Sequence, residues 1–150
     1  MKRLRSAIGL TAVLMLGVPS LAPAQGNRWE RQVRDQLQRA AAALRPKGGG
    51  AQGGQLNRTG ALNAEESESF SVTLEAGKPY QIIAVCDNDC TSLGLVLATT
   101  ANNEVAADRS SENFPVLQFT PQVTMQYHVR IEMTACQMNP CWYGVAVYRK

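Results

Sequence analysis

This 150-residue sequence predicts an all-β fold, a jelly-roll-like antiparallel sandwich of about eight strands preceded by one amphipathic helix. Three observations carry that reading. From Leu56 onward apolar residues recur with a period of two, as half-buried strands require. Gly, Pro, Asn and Asp punctuate these runs, and no helical stretch between them could connect parallel strands. The four cysteines form two close pairs, Cys86/Cys90 and Cys136/Cys141, as a small domain with a thin core would use for bracing.

The first 24 residues read as an export leader. Lys2, Arg3 and Arg5 precede an apolar run from Ala7 to Val18, and Ala22-Pro23-Ala24 supplies the small-x-small pattern of a cleavage site. The run is shorter than the roughly 20 residues a membrane span needs. The expected product starts at Gln25, is exported to the periplasm or beyond, and carries no transmembrane segment. The leader holds three of the 15 basic residues and no acid, so the remainder has 12 basic and 12 acidic side chains. Residues 25–59 carry seven basic and two acidic side chains, +5; residues 60–150 carry five and ten, −5. An acidic β region repels phosphates, which excludes nucleic acid as a partner. The asymmetry suggests either that the front segment docks on the rest or that it seeks an acidic partner.

Residues 25–47 form the helical segment. Asn27 with Glu30 makes a capping box, Trp29, Val33, Leu37, Ala41 and Leu44 make an apolar stripe, and Pro46 with the following glycines stops the helix. Such a helix either docks its stripe on the neighbouring domain, remains a free tail, or pairs with a membrane surface or with a second copy through residues 27–45. Residues 48–55, five of them glycine, form a linker.

The sandwich spans residues 56–150. Its expected strands begin with a short piece at 59–62. Phe70, Val72 and Leu74 follow, then a turn at Ala76-Gly77-Lys78-Pro79. Tyr80, Ile82, Ala84 and Cys86 share one face of the next strand, while Ile83 and Val85 indicate that its other face is also partly covered. Leu93, Leu95 and Leu97 mark another strand, Val105–Ala107 a short one, and Val116–Phe119 one more between two prolines. Met125 to Met133 alternates cleanly, and Tyr143, Val145 and Val147 close the chain.

The stretch Thr59-Gly60-Ala61-Leu62, then Phe70-Ser-Val-Thr-Leu-Glu-Ala-Gly-Lys-Pro-Tyr80, resembles the opening of the bacterial pre-peptidase C-terminal domain family. Ser92–Leu97, Val105–Asp108 and Tyr127–Ile131 are similar to its later strands, so the resemblance covers roughly residues 56–148. It implies a jelly-roll-like sandwich of the kind that accompanies secreted enzymes and aids binding to substrates or surfaces. Ser92 and Gly94 stand where members of that family often carry Asp, which argues against an inherited metal site. No protease domain is expected ahead of the module.

The chemistry-bearing residues are few. In an oxidising compartment the four cysteines form disulfides; a four-thiolate zinc site is the rival reading, but the spacings C-x3-C and C-x4-C are not the usual C-x2-C. Bridged Cα atoms lie within about 7 Å. The turn residues Asp87-Asn88-Asp89 could fold Cys86 onto Cys90, and Gln137–Pro140 could do the same for Cys136 and Cys141, with crossed pairing left open. His128, the single histidine, falls on the polar side of its alternation, and no G-x-S-x-G or H-E-x-x-H motif accompanies it. The sequence is therefore expected to be no enzyme. Asp87, Asn88 and Asp89, with Asp108 or Glu112 from another loop, offer oxygens of the kind calcium takes, or are simply turn residues. Tyr80, Tyr127, Trp142 and Tyr143 are the rings with polar handles that could line a ligand site, with Trp142 also suited to packing on a disulfide. The expected function is an exported, non-catalytic binding module for a surface, polysaccharide or protein ligand of the envelope or exterior. Recognition would run through loops at one end, including the 87–89 and 102–103 turns. The alternative is an envelope assembly protein acting through its basic helix.

Overall fold

The strand periodicity is realised as two packed four-stranded sheets. The computed structural model describes residues 25–43, 56–110 and 113–150; the leader, Leu44, the linker and Glu112 lie outside these. Helix α1 spans Gln25–Ala43. The strands are β1 (Leu56–Leu62), β2 (Glu66–Leu74), β3 (Tyr80–Cys86), β4 (Cys90–Thr99), β5 (Glu104–Asp108), β6 (Val116–Phe119), β7 (Met125–Cys136) and β8 (Cys141–Arg149).

The first sheet runs β1-β8-β3-β6 and the second β2-β7-β4-β5. All pairings are antiparallel, and β1 pairs with β8, β2 with β7, β3 with β6 and β4 with β5. The chain is thus one long hairpin, folded about the β4–β5 turn and rolled into two layers. That is the jelly-roll topology. The β3–β8 and β4–β7 ladders complete each sheet.

Between the layers lies a core from alternate positions: Phe70, Val72 and Leu74 of β2, Ile82 and Ala84 of β3, Leu93, Leu95 and Leu97 of β4, Val129, Ile131 and Met133 of β7, Val145 and Val147 of β8. Tyr127 meets Phe119 edge-on, ring centroids 5.4 Å apart, an arrangement the ring quadrupoles favour.

A second apolar cluster lies on the outside of the first sheet. Val33, Leu37 and Ala41 of α1 pack on Ile83, Val85 and Ala146, with Ala40, Val116, Trp142 and Tyr148 at the margin. The helix is docked, and its cover explains why every residue of β3 is buried. Gly144 makes the close approach possible: a Cβ there would stand 2.8 Å from a Val33 methyl and 3.4 Å from Leu37. The stripe that a self-pairing or membrane-lying helix would need is covered by the sheet.

The helix begins two residues before the expected Asn27 cap. Glu30 instead pairs with Arg34 one turn on, the ordinary i,i+4 arrangement of a helix surface.

Candidate binding site at the disulfide-bridged end

Strand directions sort the loops onto two ends. Residues 63–65, 87–89, 109–110 with 113–115, and 137–140 lie at one end; 75–79, 100–103 and 120–124 lie at the other. The 87–89 and 102–103 turns, expected together at one recognition end, therefore lie at opposite ends, because the whole length of β4 separates them.

Both disulfides sit at the first end. Cys86 is bonded to Cys90 and Cys136 to Cys141, each with Cα atoms 5.9 Å apart. The bridged loops are braced against each other and their surroundings. Gln137 N–H donates to Asp89 O at 2.7 Å, and Ala64 N–H donates to Asn139 Oδ1 at 2.9 Å. Gln32 of α1 donates to Asn88 Oδ1 at 2.6 Å, which ties the helix to the 87–89 turn. The result is a set of short loops with little freedom, whose tip residues Gln137, Met138, Asn139 and Pro140 are all exposed. Met138 is 66% exposed, the most exposed large hydrophobic among the described residues.

Asp87 lies beneath this surface. It is 1% exposed, accepts the Trp142 amide on Oδ2 at 2.8 Å, and leaves Oδ1 without a partner. Burial pushes its carboxyl above the usual Asp range, countered by the Trp142 amide and more weakly by the Asp89 and Cys90 amides, and reinforced by the nearby charge of Asp89.

The calcium set is not assembled. Asp87 is turned inward, Asn88 receives Gln32, and Asp108 accepts the amides of Ser110 at 3.0 Å and Val116 at 2.9 Å. Those bonds hold the Asp108 carboxyl below its usual range and use both its oxygens. Among the described residues no three His, Cys, Asp or Glu side chains converge as a cation site.

The aromatic set is also redistributed. Tyr80, Tyr127 and Tyr143 point into the core and are buried, because their strand phase places them with Ile82, Val129 and Val145. The Tyr143 hydroxyl donates to Glu68 of the opposite sheet at 2.5 Å, and burial pushes its pKa upward. Its ring fits because Gly60 faces it across the ladder: a Cβ there would lie 2.6 Å from the hydroxyl oxygen. Tyr80 accepts the Glu75 amide at 3.0 Å. Trp142 takes the outward phase and packs at the edge of the helix cluster. None of the four forms an open aromatic ligand site. His128 is half-buried on the outer side of β7, opposite Ser71 and Ala98 in the ladders.

The exposed 137–140 tip and Phe114 were missed by sequence reasoning. A signal existed: four residues between bonded cysteines at a strand end cannot reach back to the core, so Met138 has no inward option.

The fold and these loops define a jelly-roll β-sandwich with one disulfide-bridged end. No family model and no curated protein matches the chain. Among solved structures it is similar to the pre-peptidase C-terminal domain of a collagenase from Bacillus anthracis, with a TM-score of 0.51 and 14% identity over 62% of this chain and 88% of that one. It is also similar to PliG from Aeromonas hydrophila, a periplasmic inhibitor of g-type lysozyme, with a TM-score of 0.49 and 11% identity over 68% and 92% of the two chains. The first likeness shows a shared fold of the pre-peptidase C-terminal kind.

Proposed function

We propose that this protein is an exported, non-catalytic binding module that recognises a surface, polysaccharide or protein ligand through its disulfide-bridged end. The observation that carries the reading is the pair of bridged loops, 86–90 and 136–141, locked to each other by the Gln137–Asp89 hydrogen bond and presenting exposed side chains. Loops held in advance lose little conformational freedom on binding, so their contacts convert more fully to affinity. Two disulfides suit an oxidising compartment, in line with the export leader read at residues 1–24. No helix among the described residues is long and apolar enough to cross a membrane. A domain of this fold belongs to a collagenase, which supports an accessory role beside other macromolecules. The assembly reading through the helix stripe is disfavoured, because Val33 and Leu37 are already buried on the sandwich.

The test is co-sedimentation of the purified protein with peptidoglycan sacculi, crystalline cellulose and fibrillar collagen. Retention on one of these should fall at least about tenfold in a Gln137→Ala/Met138→Ala variant with unchanged melting, the loss expected of an interface hot spot. Equal retention of variant and wild type would remove the bridged end from recognition, and retention on none would remove these polymers as ligands.

A further inference from the structure

A groove runs between the C-terminal half of α1 and the loop that leads into β6. Its floor is Val85 and Cys86, its walls Ala40, Ala43 and Phe114, and its polar rim Gln36, Arg39 and Asn113; its volume is about 390 Å³. That is the size of small-molecule sites, which pair an apolar lining with a few polar groups that fix orientation. Phe114 is 37% exposed beside it.

The charge at the rim narrows the ligand. Arg34, Arg109, Arg130 and Arg149 each pair with a carboxylate, whereas Arg39 has no ion pair among the described residues. A guanidinium beside an apolar trough suits a molecule with an anionic head and a hydrocarbon body.

We infer that this groove binds a small anionic amphiphile, its chain on Val85, Ala40, Ala43 and Phe114 and its carboxylate or phosphate head on Arg39. The inference does not rest on the bridged-end reading, although Cys86 of the groove floor belongs to the 86–90 bridge. The groove lies on the helix side and needs neither Met138 nor the 137–140 loop. An acyl ligand placed there would also bridge α1 to the β5–β6 connection.

The test is titration of the purified protein with butyrate, hexanoate and octanoate, below their micelle concentrations, followed by backbone amide shifts. The shifts should centre on Gln36, Val85, Cys86 and Phe114, and Kd should fall with each two added methylenes, by up to about fourfold per methylene. Octyl phosphate should bind as well, and its ratio to octanoate names the preferred head. Octyl glucoside, with the same chain and no charge, should bind at least about tenfold more weakly than octanoate. Arg39→Gln should lose about tenfold for octanoate, and Ala43→Trp, which fills the trough, should abolish binding. Both positions are exposed, so the two variants should melt like wild type.

Octanoate shifts elsewhere on the molecule, equal binding of octyl glucoside, or indifference to both substitutions would each overturn the proposal. So would an absence of shifts in the groove, the result expected if residues of this chain following Ala43 fill it.

Discussion

The two outward faces of the sandwich are built on the same pleat and end in opposite conditions. On the first sheet the outward set is Ile83 and Val85 of β3 with Gly144 and Ala146 of β8, and helix α1 lies over it. On the second sheet the outward set is Ser67, Ser69, Ser71 and Thr73 of β2 beside Gln126, His128, Arg130, Glu132 and Thr134 of β7. Among the described residues no helix covers that side. Its buried apolar members, Val96 and Ala98, lie opposite Arg130 and His128 in the β4–β7 ladder, where long polar side chains can shield them with their stems. One parity of a few strands therefore decides whether a sheet face recruits a helix or meets solvent by itself. It follows that α1 is part of the fold: without it Ile83, Val85 and Ala146 would be an exposed apolar patch.

The strongest way to break this contrast is Leu37→Ala. Leu37 is 1% exposed and fills the seam over Gly144 and Val85. Truncating a leucine so placed costs roughly 2–5 kcal/mol through lost burial and the cavity left behind. Denaturant unfolding followed by Trp fluorescence should show the loss in a single transition, because Trp142 borders the seam and Trp29 lies one helical turn before Val33. A cost under about 0.5 kcal/mol would make α1 an appended tail and the two faces alike.

Much of this contrast was legible in the sequence, and its failures have physical reasons. The alternation of Phe70, Val72 and Leu74 and of Met125 to Met133 fixes strands and phase. Val33, Leu37 and Ala41 mark the docking stripe, and Ile83 with Val85 marks the face it covers. The tyrosines were misjudged for a single reason. Tyr80, Tyr127 and Tyr143 carry polar handles but share the phase of core residues, and phase decides: the Tyr80 and Tyr143 hydroxyls find partners within reach, and the Tyr127 ring packs on Phe119. Strand count would have separated the 87–89 and 102–103 turns, since consecutive antiparallel turns alternate ends. Asp108 was illegible: that its oxygens hold the β6 amide of Val116 depends on a loop closing at eight residues' separation. The groove at Arg39 was equally hidden, because the sequence does not say which helix face meets which loop.

The next test concerns the junction between the bridged end and the helix-covered sheet. Asp87 is buried with one unpartnered oxygen, and its pKa is raised chiefly by desolvation. A raised folded pKa means that the folded state favours the protonated acid over the unfolded chain, whose Asp titrates near about 3.9. The site's contribution is therefore full below that pH and declines as pH rises through the folded value. Asp87→Asn keeps an acceptor for the Trp142 amide and removes the buried charge. It should stabilise the protein at pH 7 by on the order of 1 kcal/mol, and the gain should vanish near pH 3.5. Thermal melting at the two pH values checks this. A destabilised variant at pH 7 would mean that the ionised carboxylate is needed by the 86–90 loop.

The smallest effect belongs to the polar sheet. Glu104, Arg109, Arg130 and Glu132 form a closed ring in which each arginine meets both glutamates, at 2.6 to 3.2 Å. Hydrogen bonds from Arg109 hold both carboxyls below the usual range. Yet these side chains are 25–45% exposed, so water and salt screen most of the attraction. Arg130→Gln, which keeps most of the stem over β4, should cost less than about 1 kcal/mol, and the cost should shrink further in 1 M salt. A double-mutant cycle with Glu132→Gln isolates the pairwise part. If the coupling instead reached about 2 kcal/mol and ignored salt, the ring would be acting as a desolvated network, and the polar face would be held shut as firmly by charge as the other face is by α1.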